Sequence, residues 1–313
     1  MATVVSAPGK LMIAGEYAVL EGAEAVVAAV SRRAYAELKA ASDERPSPEV
    51  VAARAAAERK TGPVRGALEL DVSELQDNGR KLGLGSSAAK AAAAAGAVFA
   101  AHGLDLQAPA VREQVLAAAL EGHRSVAPHG SGADVAAAVL GGFVRFRRLG
   151  DGIETHALPW PRALEPLIVW TGTPASTSDM LVGVRAFAER DPSGHRARMR
   201  ALAGQADQLV SALIAGDVSG VLEGTHGYGT AMGELGQAAG IPILTEPTER
   251  IRALARDCGG AAKPSGAGGG DVTIALFSSA DAATAFRARC AGEGFEILSL
   301  ELGVPGERNE EQQ

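Results

Sequence analysis

Three glycine-rich segments, far apart in the chain, each carry a charged or hydroxyl residue where a phosphate-handling site needs one. The first is Pro8-Gly9-Lys10 with Gly15-Glu16-Tyr17 a turn later. The second is Lys81-Leu82-Gly83-Leu84-Gly85-Ser86-Ser87-Ala88-Ala89, and the third runs from Lys263-Pro264-Ser265-Gly266-Ala267-Gly268 to Asp271. Glycine lets backbone amides approach an anion closely and tolerates φ > 0, so such loops form concave nests of donors. One such loop is weak evidence; three together point to nucleotide-dependent phosphoryl transfer. Gly83-x-Gly85-Ser86-Ser87 directly precedes a helix, so its free amides and the positive end of the helix dipole suit a phosphate. Ser86 and Ser87 add hydroxyls able to reach a phosphate oxygen or a Mg2+ ion. The bland alternative at this loop is a serine-capped turn.

Two other fingerprints fail. Gly83-x-Gly85-x-x-Ala88 has the spacing of a dinucleotide-binding turn, with Asp105 near the place of a ribose-binding acid. Residues 77–82 do not read as a buried strand, however, and 103–105 do not read as a strand end, and that fingerprint requires both. No segment matches Gly-x-x-x-x-Gly-Lys-Ser/Thr either.

The elements that would position these residues mix strand and helix. Residues 2–7 and 10–14 read as strands, with further β-rich stretches at 25–30, 34–38 and 64–72. Two prolines and clustered polar residues make 42–48 a loop. Helices are expected from Ser86 or Ser87 to just before Gly103, over 111–120, and over 134–140 with a stop at Gly141-Gly142. A buried strand is expected at 167–170, after a boundary near Pro159-Trp160-Pro161. From Met199, apolar residues at 202, 206, 209, 210 and 213 mark one helix face. The last third reads helix 247–257, glycine loop 259–270, strand 271–277, helix 280–291 and strand 295–302. Adjacent hairpin-like strands favour α+β layering over a regular parallel βαβ array.

The chain has 313 residues, enough for one large domain or two ordinary ones. Only 4% are aromatic while alanine is abundant, so helices are expected to pack closely through small side chains. A formal charge of −7 argues against a nucleic-acid or anionic-membrane partner, and an anionic substrate must be held by a few local cations. Cys258 and Cys290, the two cysteines, fit a reducing compartment and buried core positions. Lys10 and Glu16 interrupt the first apolar stretch, so no secretory leader is expected. The longest uncharged apolar run, 91–101, is about half the ~20 residues a bilayer requires. The expectation is a soluble, cytoplasmic protein.

In order, the three segments resemble the three motifs of the galactokinase, homoserine kinase, mevalonate kinase and phosphomevalonate kinase (GHMP) superfamily, over residues 7–276. The resemblance implies a two-domain α+β fold with the active site in the interdomain cleft. Its N-terminal ATP-binding domain would span 1–160, its C-terminal domain 161–305, and a polar, frayed tail 306–313. It also implies ATP and Mg2+ as cofactors and a small-molecule phosphorylated acceptor. Carried over residue by residue, Lys81, Gly83, Leu84, Gly85, Ser86, Ser87, Ala88 and Ala89 would bind the nucleotide. Lys10 and Asp134 would be catalytic. Lys10, Ser131, Gly132, Ser176, Thr177, Ser178, Ser265, Gly266, Ala267 and Gly268 would surround the acceptor. Ser86, Ser87 and Glu121 are candidate metal ligands.

Four details are most similar to the phosphomevalonate kinase branch. They are Tyr17 after Glu16, where mevalonate kinases usually have histidine; Gly130-Ser131-Gly132-Ala133-Asp134-Val135-Ala136; Pro174-Ala175-Ser176-Thr177; and the form of the third segment. His123 stands eleven residues before Asp134, where mevalonate kinases carry a metal-binding glutamate, so the Mg2+ ligand set departs from theirs. The implied reaction moves the γ-phosphoryl group of ATP onto 5-phosphomevalonate, with Lys10 bridging donor and acceptor. A phosphate monoester, with a second pKa of about 6, is already mostly dianionic at neutral pH. Asp134 would then orient Lys10 or the metal rather than serve as general base. Rivals are mevalonate kinase and, in another class, a catalytically silent ATP- or ligand-sensing regulator. Lys10, Ser86 and Asp134 occurring together argue against the regulator. His102, His129, His195 and His226 have no metal-ligand spacing and read as surface or core residues.

Overall fold

The computed structural model describes residues 3–41, 45–77, 79–150 and 152–310. Strands β1 (Val4–Ala14) and β2 (Ala25–Lys39) are long antiparallel neighbours, and β3 (Ala67–Asp71) pairs with the far end of β2. A small hairpin of β4 (Gln76–Asp77) and β5 (Arg80–Lys81) leads into the second glycine segment. β6 (Phe143–Leu149) and β7 (Gly152–Ala157) extend the first sheet beyond β2. A second sheet is built from β8 (Glu165–Trp170), β9 (Ala261–Pro264), β10 (Val272–Phe277) and β11 (Glu296–Leu298), in the order β11-β8-β10-β9. Every strand pairing among the described residues is antiparallel, which excludes a parallel βαβ array.

One face of the first sheet is covered by α1 (Pro48–Thr61), α2 (Ser86–Ala101), α3 (Pro109–Arg124) and α4 (Ala133–Leu140). Small side chains set this packing. Ala91 to Ala95 of α2 are fully buried, and a Cβ at Gly122 of α3 would lie 2.7 Å from the Ala53 Cα of α1. The next layer holds α5 (Thr177–Arg190), α6 (Pro192–Ala215) and α7 (Val218–Ala239). Finally α8 (Glu246–Asp257) and α9 (Ala280–Gly292) cover the outer face of the second sheet through Ile251, Leu254 and Phe286. The two sheets share a core: Leu11, Ile13 and Val26 meet Ile168, Trp170 and Ile274, with Leu209 and Leu213 of α6.

The pairing of β1 with β2 is irregular between Pro8 and Gly9. Before it, Val5 and Ala7 pack with the helices. Beyond it Met12 does so, while Leu11 and Ile13 face the second sheet. Lys10 has the parity of Met12 and is thereby turned toward the start of α2.

Several elements correct the sequence reading. Pro48, expected in a loop, opens α1, where its missing N–H costs nothing. Residues 42–44 of that loop, and residue 2 of the first strand, lie outside the described residues. The expected glycine loop at 259–270 contains β9, and the strand expected at 295–302 is confined to Glu296–Leu298. The tail expected to fray is paired as far as Glu310: β12 (Arg308–Glu310) lies beside β1, because Arg33 donates to the carbonyls of Pro305 at 3.0 Å and Gly306 at 2.6 Å. Residues 311–313 lie outside the described residues. No helix among the described residues is long and apolar enough to cross a membrane.

Candidate active site

The three glycine segments converge on one cavity of about 880 Å³. Lys10 reaches it from β1 and lies across the second segment: its amide donates to Leu84 O at 2.8 Å and its ammonium to Gly83 O at 3.3 Å. This closeness depends on Gly9, where a Cβ would come within 2.7 Å of Leu84 O, and on Gly85. Gly85 is left-handed at φ 77° and caps α2 without a side-chain bond, leaving the first amides of the helix free for an anion. Lys81, Gly83, Leu84, Gly85, Ser86 and Ser87 all line the cavity. Ala88 and Ala89 do not; both are buried in the core, and the Ala89 amide is committed to Gly85 O at 3.1 Å.

Asp134 stands in the first turn of α4, after Gly132, which is left-handed and does not line the cavity. Ser131 lines it and accepts the Ala133 amide at 3.2 Å. His123, near the end of α3, is buried, with its Nε2 3.2 Å from Ser87 Oγ and 3.4 Å from Asp134 Oδ2. The structure thus joins the second segment to Asp134 through His123. No ion pair joins Lys10 to Asp134 among the described residues.

Ser176, Thr177 and Ser178 also line the cavity. Ser176 caps α5, accepting the Asp179 amide at 3.3 Å, so its hydroxyl is already partly engaged. Ser265, expected at the acceptor, spends its hydroxyl on the backbone of β1: it donates to Met12 O at 3.0 Å and accepts from Met12 N at 2.9 Å. Gly266, Ala267 and Gly268 form the floor, with Tyr17 OH donating to Ala267 O.

Two features escaped the sequence reading. Lys263, which opens the third segment, is fully buried and pairs with Glu16 of the first. Asp271, which closes the third segment, lines the cavity in a left-handed conformation at φ 54°. Its carboxylate accepts the Ala175 amide at 3.0 Å, and its backbone bonds Thr171 and Thr173, so it fastens the 171–176 loop to the start of β10. Burial pushes the Asp271 carboxyl up, against the Ala175 amide and the charges of Lys10 and Lys81. The signal for both was their placement at the ends of a glycine segment. His129, read as a surface or core residue, also lines the cavity, whereas Glu121 does not and pairs with Arg59.

For ATP the fit is direct, with free amides at the start of α2 beside two lysines. For Mg2+, no group of three His, Cys, Asp or Glu side chains that could hold a metal occurs among the described residues. Mg2+ commonly binds through one or two carboxylates plus substrate phosphates, and Asp134, Ser86 and Ser87 supply hard oxygens of that kind.

Comparison with known proteins agrees with this geometry. Residues 49–142 match the GHMP kinases N terminal domain and residues 209–294 the GHMP kinases C terminal domain. The chain is similar to a phosphomevalonate kinase of Streptomyces sp. (strain CL190), 29% identical over 95% of both chains. A mevalonate kinase of Aeropyrum pernix is 31% identical over 59% of this chain and 62% of that one. Among solved structures, a Lin0012 protein from Listeria innocua superposes with a TM-score of 0.88 at 23% identity, covering 100% of both chains. The Streptococcus pneumoniae phosphomevalonate kinase in complex with phosphomevalonate and AMPPNP gives 0.79 at 23%, covering 96% of this chain and 99% of that one. Two matched family domains, a fold shared over full length and a glycine-lined cavity crossed by a lysine lead to one conclusion: the chain belongs to the GHMP kinase family.

Proposed function

We propose that this chain is a phosphomevalonate kinase, moving the γ-phosphoryl group of ATP onto 5-phosphomevalonate to give 5-diphosphomevalonate and ADP. The observation that carries the reading is the Lys10 ammonium lying against the phosphate loop in a cavity shared by all three glycine segments. The name of the Streptomyces relative supports it. The triphosphate would rest on the amides at Gly83 to Ser87 and the α2 dipole, with Lys81 beside it. Bound Mg2+, held by Asp134, Ser86 or Ser87 together with phosphate oxygens, would neutralise charge on the nucleotide.

Lys10 would meet the transferred group and stabilise the charge that builds up in flight. The acceptor phosphate needs no base at neutral pH, so Asp134 has a positioning role. Its contact with His123 and, through it, Ser87 suits that role better than proton abstraction.

A coupled ADP-release assay offering mevalonate and 5-phosphomevalonate separately tests the proposal. Turnover on phosphomevalonate and none on mevalonate is expected. Turnover on mevalonate alone would make the chain a mevalonate kinase. ATP binding without turnover on either would favour a sensing role.

A further inference from the structure

We infer that Arg185 binds the carboxylate of the acceptor, at the end of the cavity away from the nucleotide. The inference rests on the phosphomevalonate kinase reading and names a contact that reading leaves open. Ser178, Leu181, Val182 and Arg185 all line the cavity. Their spacing of i, i+3, i+4 and i+7 is one face of a helix, so α5 presents a continuous stripe to the site. The orientation is fixed from behind, where Val184 and Phe187 are buried against α6 and α7.

Charge accounting selects the arginine. Among the described residues the cavity is lined by three permanent cations, Lys10, Lys81 and Arg185. Lys10 donates to Gly83 O, and Lys81 ends the hairpin that leads into the phosphate loop, so both stand at the nucleotide end. The acceptor carries two anionic groups, a phosphate and a carboxylate. Its phosphate must approach Lys10 to react, which leaves its carboxylate at the far end of a short branched carbon chain. Arg185 is the permanent cation that remains. Its side chain is exposed and makes no hydrogen bond or ion pair among the described residues. Arg190, one turn further along, is instead held by Ala238 O at 2.9 Å and lies over the Phe187 ring. A guanidinium fork matches a carboxylate with two parallel bonds.

The apolar part of the stripe suits the rest of the acceptor. Val182 is 62% exposed, and Val126, just after α3, is 41% exposed; both line the cavity. The methyl and methylene groups of a branched hydroxy acid would cover them.

The test is steady-state kinetics of Arg185→Gln and Arg185→Lys with 5-phosphomevalonate and with its carboxamide analogue, together with calorimetry of acceptor binding to the complex with a non-hydrolysable ATP analogue. Arg185→Gln is expected to raise the acceptor KM and Kd by about ten- to a hundredfold, leaving kcat and the ATP KM within about threefold. Arg185→Lys should recover part of the loss. The carboxamide should be penalised in the wild type and hardly further in Arg185→Gln. If the wild type turns over phosphomevalonate but Arg185→Gln keeps its acceptor KM, or loses ATP affinity instead, the Arg185 assignment falls and the function stands. If the wild type neither binds nor turns over phosphomevalonate, both fall.

Discussion

The ammonium of Lys263 and the carboxylate of Glu16 pair with each other in isolation from solvent, at 0% and 2% side-chain exposure, beneath the cavity crossed by Lys10. Lys263 also donates to Pro264 O at 2.8 Å and lies 5.5 Å from the centre of the Tyr228 ring, whose hydroxyl donates to Glu16 O at 2.6 Å. Burial lowers the Lys263 pKa and the Glu16 carboxylate pulls it back up. The pair ties the end of β1 to β9, and so the first glycine segment to the third. Lys263→Met would strand a buried carboxylate and is expected to cost about 3–5 kcal/mol. Lys263→Met with Glu16→Gln should cost clearly less than the sum of the two single changes. Urea unfolding of the three variants reads this, and strict additivity would deny the coupling.

Lys10→Met and Asp134→Asn should separate by orders of magnitude. Loss of the amine removes charge stabilisation in the transferring group, and kcat is expected to fall by about a thousandfold or more while Tm holds. Asp134→Asn keeps the shape of the α4 turn and the reach to His123, and activity should drop by only about ten- to a hundredfold, because the phosphate of the proposed acceptor is already ionised. Equal and complete loss in both variants, without unfolding, would mean that Asp134 takes a proton after all.

Gly85→Ala tests the closeness of loop and lysine. Gly85 is left-handed at φ 77°, and a Cβ there would stand 2.8 Å from Lys10 Cγ. The strain is on the order of 1–3 kcal/mol. The amine must also shift, so kcat should fall by about tenfold or more with the fold retained. A Gly85→Ala variant with unchanged kcat would show that Lys10 does not need this path.

Glu307 gives stability a pH dependence. It is 2% exposed, faces Gly96 of α2, and neither carboxylate oxygen has a partner among the described residues. Burial drives its pKa well above the ordinary value of 4.5, with the charges of Arg112 and Arg33 opposing. The folded chain therefore holds a proton that the unfolded chain releases near 4.5. Stability from this group is fully present below that value and is lost as pH rises toward the folded pKa. Glu307→Gln should flatten the profile, raising Tm relative to wild type more at about pH 8 than at about pH 5. Parallel profiles in calorimetry would exclude Glu307 as the source.

Much of the candidate site was legible because a loop suited to phosphate writes itself into glycine spacing. Residues 83–87, Lys10 and the start of α2 could be read that way, whereas Asp134 was named only through the family resemblance; all of these line or border one cavity. What escaped was decided by packing. α7, where the sequence reading assigned no element, carries six glycines that disfavour a helix by propensity, yet they permit close approach: a Cβ at Gly224 would lie 3.1 Å from Leu209 of α6, and one at Gly229 3.1 Å from Arg252. β9 was hidden inside a glycine run because its partner, β10, follows it only after the loop. Ser265 looked like a ligand contact, and its hydroxyl turned inward to β1 because Met12 there needed both a donor and an acceptor. The stripe from Ser178 to Arg185 has no sequence signal without knowing which face of α5 is buried.

The irregular step at Pro8-Gly9 has a consequence for how variation at this end of the chain should be interpreted. Had β1 and β2 run in an unbroken ladder, the Lys10 amine would emerge on the side of the second sheet, where Ile168, Trp170 and Ile274 close the core, and Leu11 and Ile13 would turn to the helices. Regularising that step would strengthen the strand pair while taking the Lys10 amine out of the cavity. The proposed chemistry depends on this break in the hydrogen-bond register, and a stabilising substitution at either residue is expected to lower activity.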